Sequence, residues 1–356
     1  MSVSKFNIAV IGLGWVATQR HISIILRHPR LNLYGVVDKR AERIQKMGAQ
    51  YPWLRTSLSR EGEMPWGEAV QAVLIATDPP NHYPLAKKML LAGKHILMEK
   101  PFTMSVEEAR ELQETAARQG VSCCVVHNFQ FARSTLKLQA MIREGRLGDL
   151  QNMEATQWSN PRRRLPAWYE QLPFGLFYDE SPHLLYMLEA LAGGDMRRVS
   201  STVVRKAGQN TPISVSAGYQ RGALPIHLRM NFTAALSEWH IAVQGTKGVG
   251  IVDLFRDILV TLPNDGAHRA HEILTSSVSA VGTHLWGFIQ SGVRLVRGNL
   301  FYGADVVWEK FTRQMEGISA PEISAERGTR VAMLQHELMT HSQFFDLPTD
   351  EHSDAE

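Results

Sequence analysis

Four apolar residues, Ile8 to Ile11, run straight into Gly12-Leu13-Gly14-Trp15-Val16-Ala17. Each residue type in that turn answers a physical need. Gly12 allows a tight turn after a buried strand. Gly14 has no Cβ, so a pyrophosphate can approach the backbone, and Ala17 is small enough for the next helix to lie close on the sheet. The phosphates then sit at a helix N-terminus, where free N–H groups and the helix dipole favour negative charge. An acid, Asp38, ends the next apolar run, Leu33 to Val37. Glycine turn and acid together describe a dinucleotide site, with the backbone of Trp15 and Val16 at the phosphates. Asp38 suits the ribose hydroxyls of NAD and repels the 2′-phosphate of NADP. Lys39 and Arg40 follow it and soften that repulsion, so NADP stays open.

Three further groups carry chemistry. Ala76-Thr77-Asp78-Pro79-Pro80-Asn81-His82 ends one strand region, and Glu99-Lys100-Pro101 ends another. Open α/β sheets bind ligands at such carboxyl ends, which places Thr77, Pro79, Asn81, His82, Glu99 and Lys100 beside the cofactor. The Lys100–Pro101 bond is a candidate cis peptide. The third group, Phe174 to His183, contains Asp179 and His183, four residues apart and on one face if helical. An aspartate beside a histidine can fix its tautomer and stabilise its charged form.

The elements that must position these residues change character along the chain. Apolar strand-like runs at 7–11, 31–37, 72–76, 95–98 and 121–126 alternate with helical stretches such as 84–92 and 106–118. That alternation describes a doubly wound parallel sheet in a first domain, residues 1–127. A second domain, residues 128–356, opens with a helix over 136–143. Runs at 151–158, 199–206, 213–219, 226–232, 239–244, 250–254 and 258–262 then follow without intervening helices, which describes a mainly antiparallel sheet. Helices return at 306–315 and 326–339, and an acidic tail begins at about residue 350.

Composition sets the bounds. The 356 residues suffice for two domains, and a 44% hydrophobic, 21% charged chain is that of a globular protein in water. A net charge of +3 argues neither for nor against nucleic acid; no basic stripe interleaved with aromatics is apparent, and no nucleic-acid partner is expected. Cys123 and Cys124 are adjacent, so a strand would point them to opposite faces. They are expected as small buried thiols in a reducing compartment, the cytoplasm. No secretory leader is apparent, and no run is apolar enough to span a bilayer. The nearest, 285–301, carries Arg294 and Arg297.

These residues resemble the glucose–fructose oxidoreductase/inositol dehydrogenase (Gfo/Idh/MocA) family. The resemblance rests on Gly12-x-Gly14-x-x-Ala17 with His21 downstream, Asp38, Thr77…Asn81-His82, Gly93-Lys94-His95…Glu99-Lys100-Pro101, Asp179-x-x-x-His183 and Gln244-Gly-Thr-Lys-Gly248, in order over roughly residues 5 to 260. It implies a Rossmann domain followed by an open, mainly antiparallel sheet domain flanked by helices. It also implies a homo-oligomer (dimer or tetramer) and NAD(P)-dependent hydride transfer at a hydroxyl or keto carbon of a sugar, polyol or nucleotide sugar. By the same resemblance Lys100 hydrogen-bonds the reacting oxygen, His183 is the general acid/base and Asp179 orients His183 or the substrate. Histidine suits that role because its ordinary pKa lies near working pH. Two rivals are redox-neutral sugar chemistry with recycled NAD (glycoside cleavage or epimerisation) and a non-catalytic cofactor-sensing protein.

Further expectations concern individual segments. Pro182 lacks an N–H and is comfortable only in a first turn, so the helix is expected to start near Ser181 with Asp179 just outside it. Arg163 and Arg164, followed by Trp168 and Tyr169, suggest an anion clamp and aromatic platform for a phosphorylated or nucleotide-linked substrate. The alternative is a solvated loop. His336 and His341 miss zinc-helix spacing, and no metal is expected. The apolar, arginine-bearing segment 284–305 reads first as core or oligomer packing. A cap over the site or a lipid-facing surface are the other readings.

Overall fold

The computed structural model describes residues 5–163, 165 and 167–348. Arg164, one of the two expected clamp arginines, and the acidic tail therefore lie outside the described residues. The chain divides into two compact units, 1–128 with 303–333 and 129–302 with 334–356.

In the first unit short apolar strands alternate with helices. The strands are β1 (Phe6–Ile11), β2 (Leu31–Asp38), β3 (Arg55–Leu58), β4 (Ala72–Ile75), β5 (His95–Met98) and β6 (Cys123–Val125). All pair in parallel, in the order β3-β2-β1-β4-β5-β6, so the order reverses on the two sides of β1. Ile8, Val10, Val73, Leu74, Ile96 and Leu97 are wholly buried, as strands covered on both faces require. The helices are α1 (Ile22–Arg27), α2 (Ala41–Gln50), α3 (His82–Leu91) and α4 (Val106–Gln119). Sequence sets the limits of α4 clearly. Ser105 Oγ accepts the Glu108 N–H at 3.2 Å, Glu108 returns a bond to the Met104 N–H, and Gly120 closes the helix at φ +65°. Cys123 and Cys124 are buried free thiols, and burial pushes the Cys123 thiol up to about 12.

The second unit opens with α5 (Arg133–Arg143), β7 (Leu150–Trp158) and α6 (Leu176–Ala192). Then come β8 (Arg197–Lys206), β9 (Ser214–Arg221), β10 (Leu224–Asn231), β11 (Glu238–Gly245), β12 (Gly248–Asp253), β13 (Ile258–Pro263) and α7 (Ala270–Val296). The C-terminal elements are α8 (Ala304–Met315), which clusters with the first unit, α9 (Ala325–Thr340), which crosses the division between the units, and β14 (Gln343–Leu347). The eight strands run β13-β12-β11-β7-β10-β9-β8-β14. Pairing is antiparallel except for β7 with β10 and β8 with β14. This is the expected doubly wound sheet followed by an open, mainly antiparallel one. Strand β14 carries no alternating pattern in the sequence and was not anticipated.

The start of α6 corrects an expectation. The helix begins at Leu176 rather than near Ser181, and Pro182 lies inside it. A proline there has no N–H to donate to the carbonyl four residues earlier, that of Tyr178. The Gln335 side chain supplies one: Nε2 donates to the Tyr178 oxygen at 2.7 Å and also reaches Ser181 Oγ at 2.8 Å. Asp179 is consequently in the first turn, and Asp179 and His183 share a helical face.

Candidate active site

The expected site residues fall on both units, and each set is built by its own elements. In the first unit they gather at the carboxyl edge of the parallel sheet. Gly12 adopts φ +93°, and its N–H donates to the Val37 carbonyl at 2.8 Å. A Cβ at Gly12 would lie 2.5 Å from the Ala76 oxygen, so only glycine fits. At Gly14 a Cβ would meet nothing nearer than 4.0 Å, which leaves this backbone open to a ligand. Trp15 and Val16 begin the following helix, which has a π turn over Ala17–His21 before α1. Such turns occur often at functional sites. The cradle therefore fits a dinucleotide pyrophosphate on geometry alone.

Asp38 is buried at the end of β2 and ties that strand to the glycine turn. Its Oδ2 accepts the Leu13 N–H at 2.6 Å and an Arg43 guanidinium N–H at 3.2 Å, while Oδ1 accepts the Arg40 N–H at 2.9 Å. A carboxylate offers about four acceptor sites, so room for a ribose hydroxyl remains. Arg43 was not singled out from sequence, although it stands one helical turn beyond Lys39. Lys39 itself reaches Asp78 at 3.5 Å.

After β4, Pro79 to Asn81 form a 3₁₀ turn, with Asn81 Nδ2 donating to Asp78 Oδ2 at 2.9 Å. His82 is fully buried, with ring nitrogens 2.7 Å from the Pro101 carbonyl and 3.1 Å from the Thr77 carbonyl. Burial pushes its pKa down. It braces the Thr77 turn against the loop after β5. The Lys100–Pro101 peptide in that loop is cis.

Glu99 and Lys100 leave β5 with a support that the sequence did not disclose. Trp308 in α8 donates its indole N–H to His21 Nδ1 at 2.9 Å. Indole nitrogen can only donate, so His21 carries its own proton on Nε2 and donates it to Glu99 Oε1 at 2.8 Å. The other Glu99 oxygen accepts the Lys100 backbone N–H at 3.1 Å. Burial opposes charge on Glu99. The His21 hydrogen bond, with Lys100 and Arg20 nearby, nevertheless holds its carboxyl below the usual carboxylate range. A half-buried anion is thus held in place beside Lys100.

In the second unit His183 is buried in an aromatic setting. Its ring centroid lies 4.8 Å from that of Phe129, 5.7 Å from Tyr186 and 5.6 Å from Trp239. Nδ1 is 2.9 Å from the Tyr186 hydroxyl, which accepts the Phe129 N–H at 3.0 Å. Tyr186, one helical turn after His183, was legible as a neighbour only once the helix was known. Arg163 does not stand ready for an anion. It forms an ion pair with buried Glu180, which also contacts Gln157 and, at 3.3 Å, Ser159 Oγ. Trp168 and Tyr169 are half-buried in a 3₁₀ turn, Ala167–Gln171.

Comparison with known proteins agrees with this construction. The sequence profile of the oxidoreductase family with an NAD-binding Rossmann fold matches residues 6–127, and that of the GFO/IDH/MocA C-terminal domain matches 135–250. The uncharacterized oxidoreductase YdgJ of Escherichia coli is 30% identical over 252 residues, 68% of this chain and 70% of that protein. D-glucoside 3-dehydrogenase of E. coli is 31% identical over 177 residues, 47% of each chain. Two solved structures share the fold at 16% identity and a TM-score of 0.75. One is KijD10, a 3-ketoreductase from Actinomadura kijaniata in complex with NADP and TDP-benzene, covering 97% of this chain and 100% of that one. The other is the WlbA dehydrogenase from Bordetella pertussis in complex with NADH and UDP-GlcNAcA, covering 95% of each. The chain belongs to the Gfo/Idh/MocA family of NAD(P)-dependent oxidoreductases.

Proposed function

We propose that the protein moves a hydride between nicotinamide and a hydroxyl or keto carbon of a sugar, polyol or nucleotide sugar. The observation that carries this reading is the Trp308–His21–Glu99 chain, which holds a carboxylate against the Lys100 backbone at the carboxyl end of β5. The similarity to D-glucoside 3-dehydrogenase supports a sugar as substrate.

Bound nicotinamide supplies the hydride acceptor or donor. Lys100 hydrogen-bonds the reacting oxygen, and His183 takes or returns its proton. With Nδ1 protonated and donating to the Tyr186 oxygen, the imidazole presents an unprotonated Nε2 to take the substrate's proton. Asp179, on the same face of α6, orients ring or substrate. Gly12, Gly14, Trp15, Val16, Asp38, Thr77, Pro79 and Asn81 hold the cofactor, with Lys39, Arg40 and Arg43 at its ribose end. Asp38 is shared with Arg43, which weakens its repulsion of a 2′-phosphate, and NAD remains the favoured form.

The test is NADH formation from NAD with a panel of sugars and nucleotide sugars, beside direct titration with NADH and NADPH. Lys100→Ala and His183→Ala are expected to lower kcat by about 10²–10⁴ while NADH affinity stays within twofold. Near-wild-type turnover in both variants would overturn the assignment. Product formed without net NADH would select the redox-neutral alternative.

A further inference from the structure

Two buried polar atoms near His183 have no hydrogen-bond partner among the described residues. One is the indole N–H of Trp239 on β11, a side chain 4% exposed. The other is Oε1 of Gln157 on β7, a side chain with 0% exposure. Such atoms are rare in folded proteins, because each gives up its bonds to water for nothing in return. These two are not scattered. Trp239 and Gln157 stand directly opposite one another in the antiparallel pairing of β11 with β7, so their side chains share one face of the sheet. That face meets α6. The His183 ring centroid lies 5.6 Å from that of Trp239, and Glu180, one helical turn before His183, accepts the Gln157 amide N–H.

The roles of both atoms are fixed. Gln157 Nε2 donates to Glu180 and, at 2.9 Å, to Ser159 Oγ. Turning the amide over would set its oxygen against the Glu180 carboxylate, so Oε1 is the atom left over, and it can only accept. The indole nitrogen can only donate. Ring contacts hold the Trp239 plane, with the Phe129 centroid at 6.1 Å and the Phe255 centroid at 5.3 Å, and none of them satisfies its N–H.

We propose that Trp239 and Gln157 form a subsite for one hydroxyl of the substrate, beside the histidine that moves the proton. The subsite rests on the function proposed above and narrows its substrate. One unpartnered donor and one unpartnered acceptor select a group that does both. A hydroxyl accepts from the indole N–H through its oxygen and gives its own proton to Oε1. A carboxylate or phosphate only accepts, and it would face the amide oxygen and the Glu180 carboxylate. Arg163 does not offset this, because it is engaged with Glu180. An ammonium group only donates, and a methylene leaves both protein atoms unmet. The substrate is thus a compound with a free hydroxyl near its reacting carbon, and not one that is deoxygenated there. Burial makes the choice strict, since bulk water does not replace a missing hydroxyl. A resident water offers the same two bonds as a substrate hydroxyl, and the two sources are separable by experiment.

The test is kinetics of the full chain with NAD and the panel of sugars and nucleotide sugars, D-glucose, myo-inositol and UDP-glucose among them. Monodeoxy analogues of the compound turned over fastest are added. In the wild type, loss of one particular hydroxyl is expected to lower kcat/KM by about 10- to 100-fold. Trp239→Phe keeps a ring against His183 and removes the donor. It is expected to lower kcat/KM for the parent compound, while the cost of that same deoxy position shrinks to about threefold or less. Gln157→Met, which removes the acceptor from the other strand, is expected to relieve the same position. The readout is the ratio of parent to analogue within each variant, which a general loosening of the fold does not move at one position alone. A wild type indifferent to every hydroxyl, or variants that slow the parent and all analogues equally, as loss of a resident water would, overturns the subsite and leaves the function standing. A wild type that turns over no member of the panel overturns the function and the subsite with it.

Discussion

Single side chains in this protein are tied up in ways their types alone conceal. Arg163 is the clearest instance. In a loop beside Arg162 and Arg164 it reads as a ligand for an anion. In the folded chain its guanidinium closes on Glu180, a carboxylate that is 5% exposed. Removing one partner of such a pair leaves an uncompensated buried charge. Arg163→Ala is therefore expected to cost about 3–5 kcal/mol, measured by denaturant unfolding. Glu180→Gln added to it should recover part of that loss. A selective fall in affinity for anionic substrates with stability unchanged would restore the clamp reading. His21 likewise stood in the sequence as an unassigned histidine. Its partner Trp308 lies 287 residues away, and no local pattern links them. The glycine turn, Asp38 and Glu99-Lys100-Pro101 were legible because each is one short segment whose chemistry needs only its own strand end.

At the scale of elements, the same division holds. All strands but the edge strands β3 and β14 were legible because continuous apolar runs and alternating runs declare buried and half-buried strands directly. Helix α6 was misjudged at its start because the rule for proline is local and its remedy is not. Gln335 supplies from another helix the donor that Pro182 lacks. A double-mutant cycle tests this account. Gln335→Leu should destabilise by about 0.5–1.5 kcal/mol by removing the side-chain hydrogen bonds to the Tyr178 carbonyl and Ser181. In a Pro182→Ala background the restored N–H can serve that carbonyl, so the same change should cost markedly less. Equal costs in both backgrounds would show that Gln335 acts otherwise. The orientation of α7 was equally hidden: its Ser279 and Thr283 hydroxyls bond Thr261 of β13, while apolar side chains such as Leu285 are exposed. Periodicity shows that a helix has two faces, but not which one the rest of the chain will take.

For the whole molecule, three histidines and Glu99 act in one direction as pH falls. Burial, with Arg327 adding to it, pushes His127 down to about 3 from 6.5. His82 and His95 are also lowered by burial. Between pH 6.5 and 3 the unfolded chain takes up a proton at position 127 that the native protein refuses. Each pH unit in that window then weakens the folding equilibrium by about tenfold for this residue alone. The lowered Glu99 carboxyl works in the same sense, since its stabilisation is present above its unfolded pKa and lost as pH falls through the folded value. Unfolding midpoints should be level above about pH 6.5 and fall steeply below it. His127→Phe should flatten part of that slope, and an unchanged slope would remove His127 from the account.

The route of the chain carries a last consequence. Residues 303–333 belong with the first 128, so the polypeptide leaves the nucleotide-binding unit, builds most of the other one, and returns. Gly328 lies so near Val125 and Phe102 that a Cβ there would be 2.7 Å from the valine side chain. Trp308 supplies the indole to His21. During synthesis, then, the first unit cannot be finished when its six strands have left the ribosome. It must wait for some two hundred further residues, with His21 and the last strand still lacking their native neighbours. A fragment ending near residue 128 is expected to lack these contacts and to be less stable than the same unit in the full chain.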